Sequence, residues 1–211
     1  MSTKRIAVLV SGGGTNLQAL IDAQQAGKLR GGEIVAVLSS RAGAYALERA
    51  AKAGIPGYVV ARKDFDSNQA MTVALVNKLR ELNIDLVVLA GFMVILTQEM
   101  VQAFHNAILN VHPALIPSFC GEGCYGLHVH EKALAYGVKV TGATVHFVSE
   151  ECDGGPIVLQ KAVYIQDGDT PEVLQRRVME QAEWVILPQA VSLFCQGRLR
   201  VEGRTVRILP Q

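Results

Sequence analysis

The stretch RIAVLVSGGGTNLQAL, residues 5–20, decides the fold class. It begins as a continuous apolar run, which is typical of a strand buried on both faces of a parallel sheet. Three glycines follow, and a helical pattern begins directly after them. The stretch therefore predicts a strand, a tight turn and a helix, which together open an α/β fold.

The same alternation continues through the first half of the chain. The strand candidates are 5–11, 33–40, 57–61, 85–91 and 107–112, and the helical candidates lie near 15–27, 44–53, 67–82 and 97–105. Strands that alternate with helices pair in parallel through right-handed crossovers. We therefore expect a Rossmann-like, largely parallel sheet with helices on both faces.

The second half changes pattern after residue 137. Two longer strands are predicted at 138–149 and 156–165, with a short loop between them, so the C-terminal half should contain antiparallel strands. A long helix near 171–197 follows, with Thr170 as its capping residue and Pro171 at its first helical position. The tail RLRVEGRTVRIL predicts a small hairpin at 198–211.

Composition excludes several classes of protein. Of the 211 residues, 50% are apolar and 18% are charged, which excludes a disordered chain or a coiled coil. The formal charge of +1 gives no reason to expect nucleic acid or a membrane as partner. No apolar run reaches the roughly 18 residues of a membrane span. Four cysteines are too few for a disulfide scaffold, so a cytoplasmic location is expected.

The glycine turn at 12–14 allows two interpretations. Backbone N–H groups at the start of a helix suit a phosphate, but a tight turn capped by Thr15 or Asn16 explains the same residues. A dinucleotide site is disfavoured, because Leu17 replaces the third glycine of the G-x-G-x-x-G pattern. The second strand also ends in Ser39-Ser40-Arg41 rather than in an acidic residue.

The stretch ILNVHP places an amide and an imidazole at the end of the fifth strand. Asn110 and His112 are two residues apart, so both side chains point to the same face. Pro113 favours an extended conformation at His112 and cannot continue the ladder. An imidazole exchanges protons near neutral pH and an amide can donate to an oxyanion, so the pair is a candidate site.

The stretch SEECDGGPIVLQ carries a carboxylate in a tight loop. Asp153 precedes two glycines and a proline, a pattern that is more often turn chemistry than catalysis. Brought beside His112, this carboxylate would raise the pKa of the imidazole. His146 alternates with apolar neighbours in the preceding strand and is interpreted as a packing residue.

Metal binding and covalent catalysis receive little support. A zinc site would use Cys120, Cys124, His128 and His130, but the cysteine spacing is not the usual C-x2-C and glycines crowd it. No serine lies in a G-x-S-x-G setting and no cysteine has an evident base, so no covalent acyl-enzyme is predicted.

Six segments between residue 11 and about residue 197 share a resemblance. They are SGGGTNLQAL, VVLAGFMVIL, ILNVHPALIPSF, GLHVHEKAL, TGATVHFVSEECDGGPIVLQ and the long C-terminal helix. Together they resemble the glycinamide ribonucleotide branch of the folate-dependent formyltransferases. The combination of N-x-H-P with a downstream D-G-G-P is specific to folate-dependent formyl transfer, and the SGGGTN loop narrows it to this branch.

The resemblance implies a reaction and a role for each candidate residue. The formyl group of 10-formyltetrahydrofolate would pass to the amine of glycinamide ribonucleotide, with no metal involved. Asn110, His112 and Asp153 would be catalytic, while Gly14, Thr15 and Asn16 would hold the phosphate and Glu183 the ribose hydroxyls. The folate would contact Met93, Val94, Ile95, Leu96, Asn110, Ser149, Glu150, Glu151, Cys152 and Asp153.

The resemblance also implies an organisation. One formyltransferase domain would cover 1–211, with a nucleotide-binding half at 1–112, a half carrying the folate loop at 113–197, and the hairpin at 198–211. Small molecules would be the only ligands, with neither nucleic acid nor membrane as partner, and the protein would be a monomer or a homodimer.

Several positions depart from the family pattern. Val94 stands where several relatives carry Arg, and Asn68 stands where an Arg near the folate's glutamate tail is common. The C-terminal helix has Glu183-Trp184 instead of Glu-His and is one residue longer, which puts Glu180 where Lys or Gln is usual. The insert CGEGCYG, 120–126, resembles that of a subset of the family.

Other functions remain open on the residues alone. A 10-formyltetrahydrofolate hydrolase would share Asn110, His112 and Asp153, with water as the nucleophile. A methionyl-tRNA formyltransferase would need a further C-terminal domain, and a nicotinamide-dependent oxidoreductase would need the absent glycine and ribose-binding acid. A non-catalytic folate- or nucleotide-binding module is the last alternative.

Overall fold

The nine strands in the described part of the chain join one mixed sheet. The computed structural model describes residues 2–210. The strands are β1 (Lys4–Val10), β2 (Gly32–Ser39), β3 (Gly57–Val59), β4 (Leu86–Leu89), β5 (Ile108–His112), β6 (Val140–Phe147), β7 (Ile157–Tyr164), β8 (Leu199–Glu202) and β9 (Thr205–Ile208). Their spatial order is β3-β2-β1-β4-β5-β6-β7-β9-β8.

The pairing directions confirm the predicted fold class. Strands β1 to β5 pair in parallel, whereas β6 is antiparallel to both β5 and β7. The C-terminal hairpin of β8 and β9 also forms, and β9 joins the sheet beside β7.

Helices cover both faces of the sheet. They are α1 (Thr15–Gln25), α2 (Tyr45–Lys52), α3 (Asn68–Glu81), α4 (Gln98–Ala103), α5 (Leu127–Tyr136), α6 (Pro171–Val178) and α7 (Trp184–Cys195). Successive residues of β1 serve opposite cores, because side chains in a strand alternate faces. Ile6 and Val8 pack with α1, α2, α6 and α7 residues, whereas Ala7 and Leu9 pack with residues of α3 and α4. No helix within residues 2–210 is both long enough and apolar enough to cross a bilayer.

The predicted long C-terminal helix contains a change of helix type. It begins at α6, where the Thr170 side chain accepts a hydrogen bond from the Val173 N–H, as the capping prediction requires. A π-helix at Met179–Glu183 then connects α6 to α7. A π-turn holds more residues than an α-turn, so it accommodates the additional residue noted in the sequence.

Helix α5 is the element that the sequence did not reveal. Its N-cap is Gly126, which has no side chain to accept a capping hydrogen bond, and its first turn carries no acidic residue. Glycines and two cysteines precede it, so the usual start signal is absent. This helix packs against α6 and forms the outer support of the loop that follows β5.

The sheet order determines where a ligand would bind. From β1 the chain builds outward through β2 to β3, then returns to β4 on the other side of β1. In open α/β sheets, ligands bind beyond the carboxyl ends of the strands at such a switch point. Ser11, Gly91 and His112 all lie at this edge.

Candidate active site

The register of β5 against β6 assembles the polar centre of the site. Asn110 lies opposite His146, and His112 lies opposite Thr144. Directly opposed residues share a face, so an amide and two imidazoles converge there. The Asn110 Nδ2 lies 3.2 Å from the His146 Nε2, while the His146 Nδ1 donates to the carbonyl of Phe147 at 2.9 Å. The His146 Nε2 is therefore free to accept a hydrogen from Asn110.

The loop after β6 brings Asp153 to this centre. One Asp153 oxygen lies 3.5 Å from the His112 Nδ1 and the other lies 3.6 Å from the His146 Nε2. The loop can turn back this tightly because Gly155 lies against the carbonyl of Phe147, where a Cβ would come within 1.7 Å of the oxygen. Asp153 itself has a positive φ of 53°. The Asp-Gly-Gly-Pro turn thus places a carboxylate against both histidines.

His146 was wrongly interpreted as a packing residue. It is buried, yet its ring joins Asn110 to Asp153. The signal in the sequence was the two-residue spacing of Thr144 and His146, which matches that of Asn110 and His112. That signal becomes informative only when the β5–β6 register is known.

Burial and neighbouring charges have opposite effects on the pKa of His112, and likewise on the pKa of Asp153. Burial lowers the pKa of His112 below its ordinary value of 6.5, and the Asp153 charge only partly offsets this. Asp153 therefore raises the pKa of His112 as expected, but burial has the larger effect and the net direction is downward. Burial also acts to raise the pKa of Asp153, but the proximity of His146 and His112 and the hydrogen bond from the Gly121 N–H outweigh it and lower that pKa.

A second polar cluster lies at the start of α1. The Asn16 Nδ2 donates to the Glu183 carboxylate at 2.6 Å, and both residues are buried. Burial raises the pKa of Glu183 to about 7, although the Asn16 hydrogen bond opposes this. In the described part of the chain, the Asn16 Oδ1 and the Trp184 Nε1 are buried without a hydrogen-bond partner.

Packing requires a glycine at one of the three positions of the turn. Gly14 has a φ of 71°, and a Cβ there would lie 2.6 Å from the Ala46 Cβ of α2. Close packing of two helices therefore requires glycine at this position. At Gly12 and Gly13 an added Cβ would meet nothing within 4 Å, so these two positions face open space. Thr15 contacts the Met179 sulfur with its hydroxyl at 3.7 Å.

The segment 93–96 follows the glycine at the end of β4. Its backbone is held to the first strand, because the Met93 N–H donates to the Ser11 hydroxyl at 2.8 Å. Val94 and Leu96 pack on the core formed with α3 and α4, whereas Met93 and Ile95 are exposed. Alternation along the segment therefore exposes two apolar side chains to solvent.

The loop 149–153 is ordered by its own hydrogen bonds. The Ser149 hydroxyl donates to the Glu151 carbonyl at 3.1 Å, and the Glu150 carboxylate accepts from Gln98 of α4 at 2.8 Å. Cys152 is exposed. The hydrogen bond from Gln98 thus holds the loop that carries Asp153 against α4.

The four residues of the disfavoured zinc site have other surroundings. His128 pairs with Glu131 at 2.8 Å, and the Cys124 sulfur accepts from Lys132 at 3.2 Å. His130 is fully buried, and burial lowers its pKa to about 4. No group of three or more His, Cys, Asp or Glu residues between residues 2 and 210 is arranged to hold a metal ion.

Similarity to known proteins extends over nearly the whole chain. A family model described as formyl transferase matches residues 4–191. The chain belongs to the formyl transferase family. This formyl transferase is 45% identical over 199 residues to the phosphoribosylglycinamide formyltransferase of Haemophilus influenzae, covering 94% of this chain and 91% of that protein. The resemblance inferred from the sequence is thereby confirmed.

Solved structures extend the match to the whole fold. Glycinamide ribonucleotide transformylase 1 from Symbiobacterium toebii superimposes with a TM-score of 0.93 at 46% identity, covering 99% of this chain and 95% of that one. A formyltetrahydrofolate deformylase from Pseudomonas syringae pv. tomato has a TM-score of 0.87 at 25% identity, covering 99% of this chain and 67% of that one. The formyl transferase is thus more similar in sequence to the transformylase than to the deformylase.

The positions that depart from the family pattern lie in several parts of the fold. Val94 is half-buried against the core. Asn68 opens α3, and its side-chain oxygen accepts from Arg62. Glu180 is exposed on the π-helix, whereas Glu183, three residues on, is turned inward to Asn16. The insert 120–126 lies between β5 and α5, next to Asp153.

Proposed function

We propose that this formyl transferase moves the formyl group of 10-formyltetrahydrofolate to the amine of glycinamide ribonucleotide. The observation that carries the proposal is the convergence of Asn110, His112 and Asp153 at the carboxyl end of β5. An amide donor, an imidazole and a carboxylate suit a tetrahedral intermediate that forms and collapses without an enzyme nucleophile. The nucleophile is the amine of the substrate itself.

Attack of the amine on the formyl carbon moves the carbonyl electrons onto oxygen. Asn110 stabilises this oxyanion with the Nδ2 hydrogen that does not point to His146. His146 thus acts as a positioning residue that orients the amide. Because the oxyanion brings negative charge close to His112, it favours the imidazolium form of a residue whose pKa is otherwise lowered by burial.

Collapse of the intermediate requires a proton to move between two nitrogens. The attacking amine loses a proton and N10 of the folate gains one as the carbon–N10 bond breaks. Asp153 is ionised in the free protein and is adjacent to both histidines, so it can accept the proton and return it to the leaving nitrogen. When the oxyanion has made His112 an imidazolium, its Nδ1 hydrogen faces the same carboxylate.

The binding roles follow from the two ends of the site. The pterin lies along the backbone of Met93, Val94, Ile95 and Leu96, and the loop Ser149, Glu150, Glu151, Cys152 and Asp153 closes over the folate. The ribonucleotide phosphate lies at Gly14, Thr15 and Asn16, where the first-turn N–H groups of α1 have no intrahelical partner. Glu183 accepts the ribose hydroxyls. We expect a cytoplasmic monomer or homodimer that uses no metal.

Formyl-group loss in the presence and absence of the amine tests the proposal. The protein is incubated with 10-formyltetrahydrofolate, with and without glycinamide ribonucleotide, and the remaining formyl-folate is measured. Amine-dependent loss supports the transferase. Amine-independent loss identifies a hydrolase, the alternative favoured by the structural similarity to the deformylase. Binding of both ligands without turnover identifies a binding module. The Asp167→Asn variant is a control, because this carboxylate is fully exposed at the far end of β7.

A further inference from the structure

Two backbone groups contact the ionisable residues of the site from outside the sheet. The His112 Nε2 donates to the Phe119 carbonyl at 2.9 Å. Two residues later, the Gly121 N–H donates to the Asp153 Oδ2 at 2.9 Å. Both Phe119 and Gly121 have positive φ values, 49° and 83°, and such a conformation is uncommon for a residue as large as Phe. We call residues 119–121 the brace.

The first contact determines which nitrogen of His112 exchanges its proton. A carbonyl oxygen only accepts, so the Nε2 carries a hydrogen in the neutral ring. The remaining nitrogen, Nδ1, is the one that lies 3.5 Å from Asp153. The brace therefore directs the exchangeable proton of His112 toward the carboxylate.

The second contact acts on the carboxylate itself. The Gly121 N–H bonds the same oxygen, Oδ2, that faces His112, and a donor at a carboxylate favours its ionised form. The titratable groups that face Asp153 are His112 from β5, His146 from β6, and the thiols of Cys120 and Cys152. The Gly121 N–H is the backbone donor among these neighbours.

The insert is attached to α5 beyond the brace. The Lys132 Nζ donates to the Gly123 carbonyl at 2.9 Å and to the Cys124 sulfur at 3.2 Å. The Phe119 ring meets the Tyr136 ring edge-on, with centroids 6.0 Å apart. These contacts connect the helix that the sequence did not reveal to the residues that hold His112 and Asp153.

We propose that the brace, Phe119 to Gly121, is a positioning element of formyl transfer that sets the tautomer of His112 and the orientation of Asp153. The inference rests on the proposed function, and it assigns a role to the insert 120–126. The insert acts through His112 and Asp153, supported from α5.

A matched pair of glycine variants tests the brace. Gly121→Ala introduces a Cβ at a φ of 83°, where it meets nothing within 4 Å, so the variant disturbs only the backbone conformation. Gly168→Ala is the control, because its φ is 84°, its Cβ also meets nothing within 4 Å, and it lies beyond the far end of β7. Both variants should lose a similar amount of thermal stability.

Only Gly121→Ala should alter the site. We expect kcat to fall about tenfold, with the KM for glycinamide ribonucleotide changed by less than about twofold, because a weakened general acid–base affects turnover more than binding. The pKa of Asp153, followed by carbon-13 NMR of the carboxyl group, should rise as the N–H donor is lost. Nitrogen-15 NMR should show a neutral Nε2–H ring at His112 in the unmodified protein and a mixture of tautomers in the variant.

The NMR readouts require no substrate and therefore separate this inference from the proposed function. If Gly121→Ala matches Gly168→Ala in the titration of Asp153 and in the His112 tautomer, the brace is refuted whichever reaction the protein catalyses. A fall in kcat without either NMR change also contradicts it. If the unmodified protein shows no amine-dependent loss of formyl-folate, the proposed function fails, and the two NMR measurements still decide the brace.

Discussion

The two ends of the candidate site differ in how completely their polar atoms are paired. At the reaction end, Asn110, His112, His146 and Asp153 each have a protein partner within 3.6 Å. At the nucleotide end, Asn16 and Glu183 share one hydrogen bond, while the Asn16 Oδ1 and the Trp184 Nε1 are buried without partners. Buried polar atoms without partners are costly.

From this difference in pairing we infer that the two ends would serve different tasks in the proposed function. Groups that act on developing charge are effective when they are already oriented, because no reorganisation is then needed during the reaction. Groups that recognise a polar ligand can remain unsatisfied until the ligand supplies the missing hydrogen bonds. Substitutions at the reaction end should therefore affect turnover, whereas those at the nucleotide end should affect affinity and stability.

The largest effect is expected at the reaction end. Asp153→Asn removes the proton acceptor between the two histidines, and we expect turnover to fall by at least about 100-fold, the scale of losing a general acid–base. His112→Ala should show a loss of similar size. Both variants should bind the two substrates nearly as well as the unmodified protein, as measured by calorimetry. Near-normal turnover in either variant would remove the basis for a prepared reaction end.

Two glycines of the turn, one packed and one facing open space, should differ in their effect on stability. Gly14→Ala should destabilise the fold by about 2–4 kcal/mol, because its Cβ collides with Ala46 at a left-handed φ. Gly13→Ala should leave stability nearly unchanged, because its Cβ meets nothing within 4 Å. Urea unfolding measures both effects.

The same pair tests whether the turn holds phosphate. Gly13→Ala should weaken binding of glycinamide ribonucleotide and spare folate binding, and inorganic phosphate should compete with the ribonucleotide alone. Equal losses for both ligands in calorimetry would leave the loop as a structural turn.

Glu183 should make stability depend on pH. Its folded pKa of about 7 lies above the ordinary value of 4.5. The neutral carboxyl therefore favours the folded state fully below pH 4.5, and this contribution is lost as pH rises through 7. Glu183→Gln should gain on the order of 2 kcal/mol relative to the unmodified protein above pH 8 and almost nothing at pH 4.

Melting temperatures of Glu183→Gln and of the unmodified protein, compared at pH 4 and above pH 8, measure this change in stability. The exposed Glu48→Gln is the control. The Gln variant should also bind the ribonucleotide about tenfold more weakly, because a carboxylate accepts ribose hydroxyls better than an amide does. A pH-independent difference in melting temperature would show that the pKa of Glu183 is the same in the folded and unfolded states.

The smallest effect is expected at Glu180. This exposed carboxylate follows Met179, which contacts Thr15 of the proposed phosphate loop. Glu180→Lys should lower the KM for glycinamide ribonucleotide about threefold at low salt and less at high salt, because exposed charges are screened. Glu172→Lys, on the exposed side of α6, is the control. An equal change in both variants would point to net charge rather than to a local contact.

The fold was predictable because its signals are local. Apolar runs and intervening helices define β1 to β5 without knowledge of partners, and Thr170 with Pro171 marks the start of α6. Helix α5 was not predictable in this way, because Gly126 supplies no cap and the buried His130 interrupts the apolar stripe. Its one clear signal was Gly137, which ends the helix in a left-handed conformation.

The candidate site was predictable only where side chains carry the information. Asn110 and His112 share a face by strand geometry, and Asp153 lies in a turn marked by glycines. The partnership of His146 depends on a register between strands 36 residues apart, which no local pattern encodes. The brace uses a carbonyl and an N–H, groups that every non-proline residue carries, so sequence could not distinguish it.

The π-helix at Met179–Glu183 bears on how this protein tolerates changes in chain length. A π-turn is in effect an α-turn with one residue added, and the helices on either side keep their phase. Deleting Gln181 should therefore leave the buried face of α7 on the sheet while restoring an ordinary α-turn. The deletion would shorten the spacing between Met179, which contacts Thr15, and Glu183, which contacts Asn16. A single-codon deletion here would alter the surroundings of Asn16 and Glu183 without rebuilding the core, so this turn is a place where chain length can vary while the fold is kept.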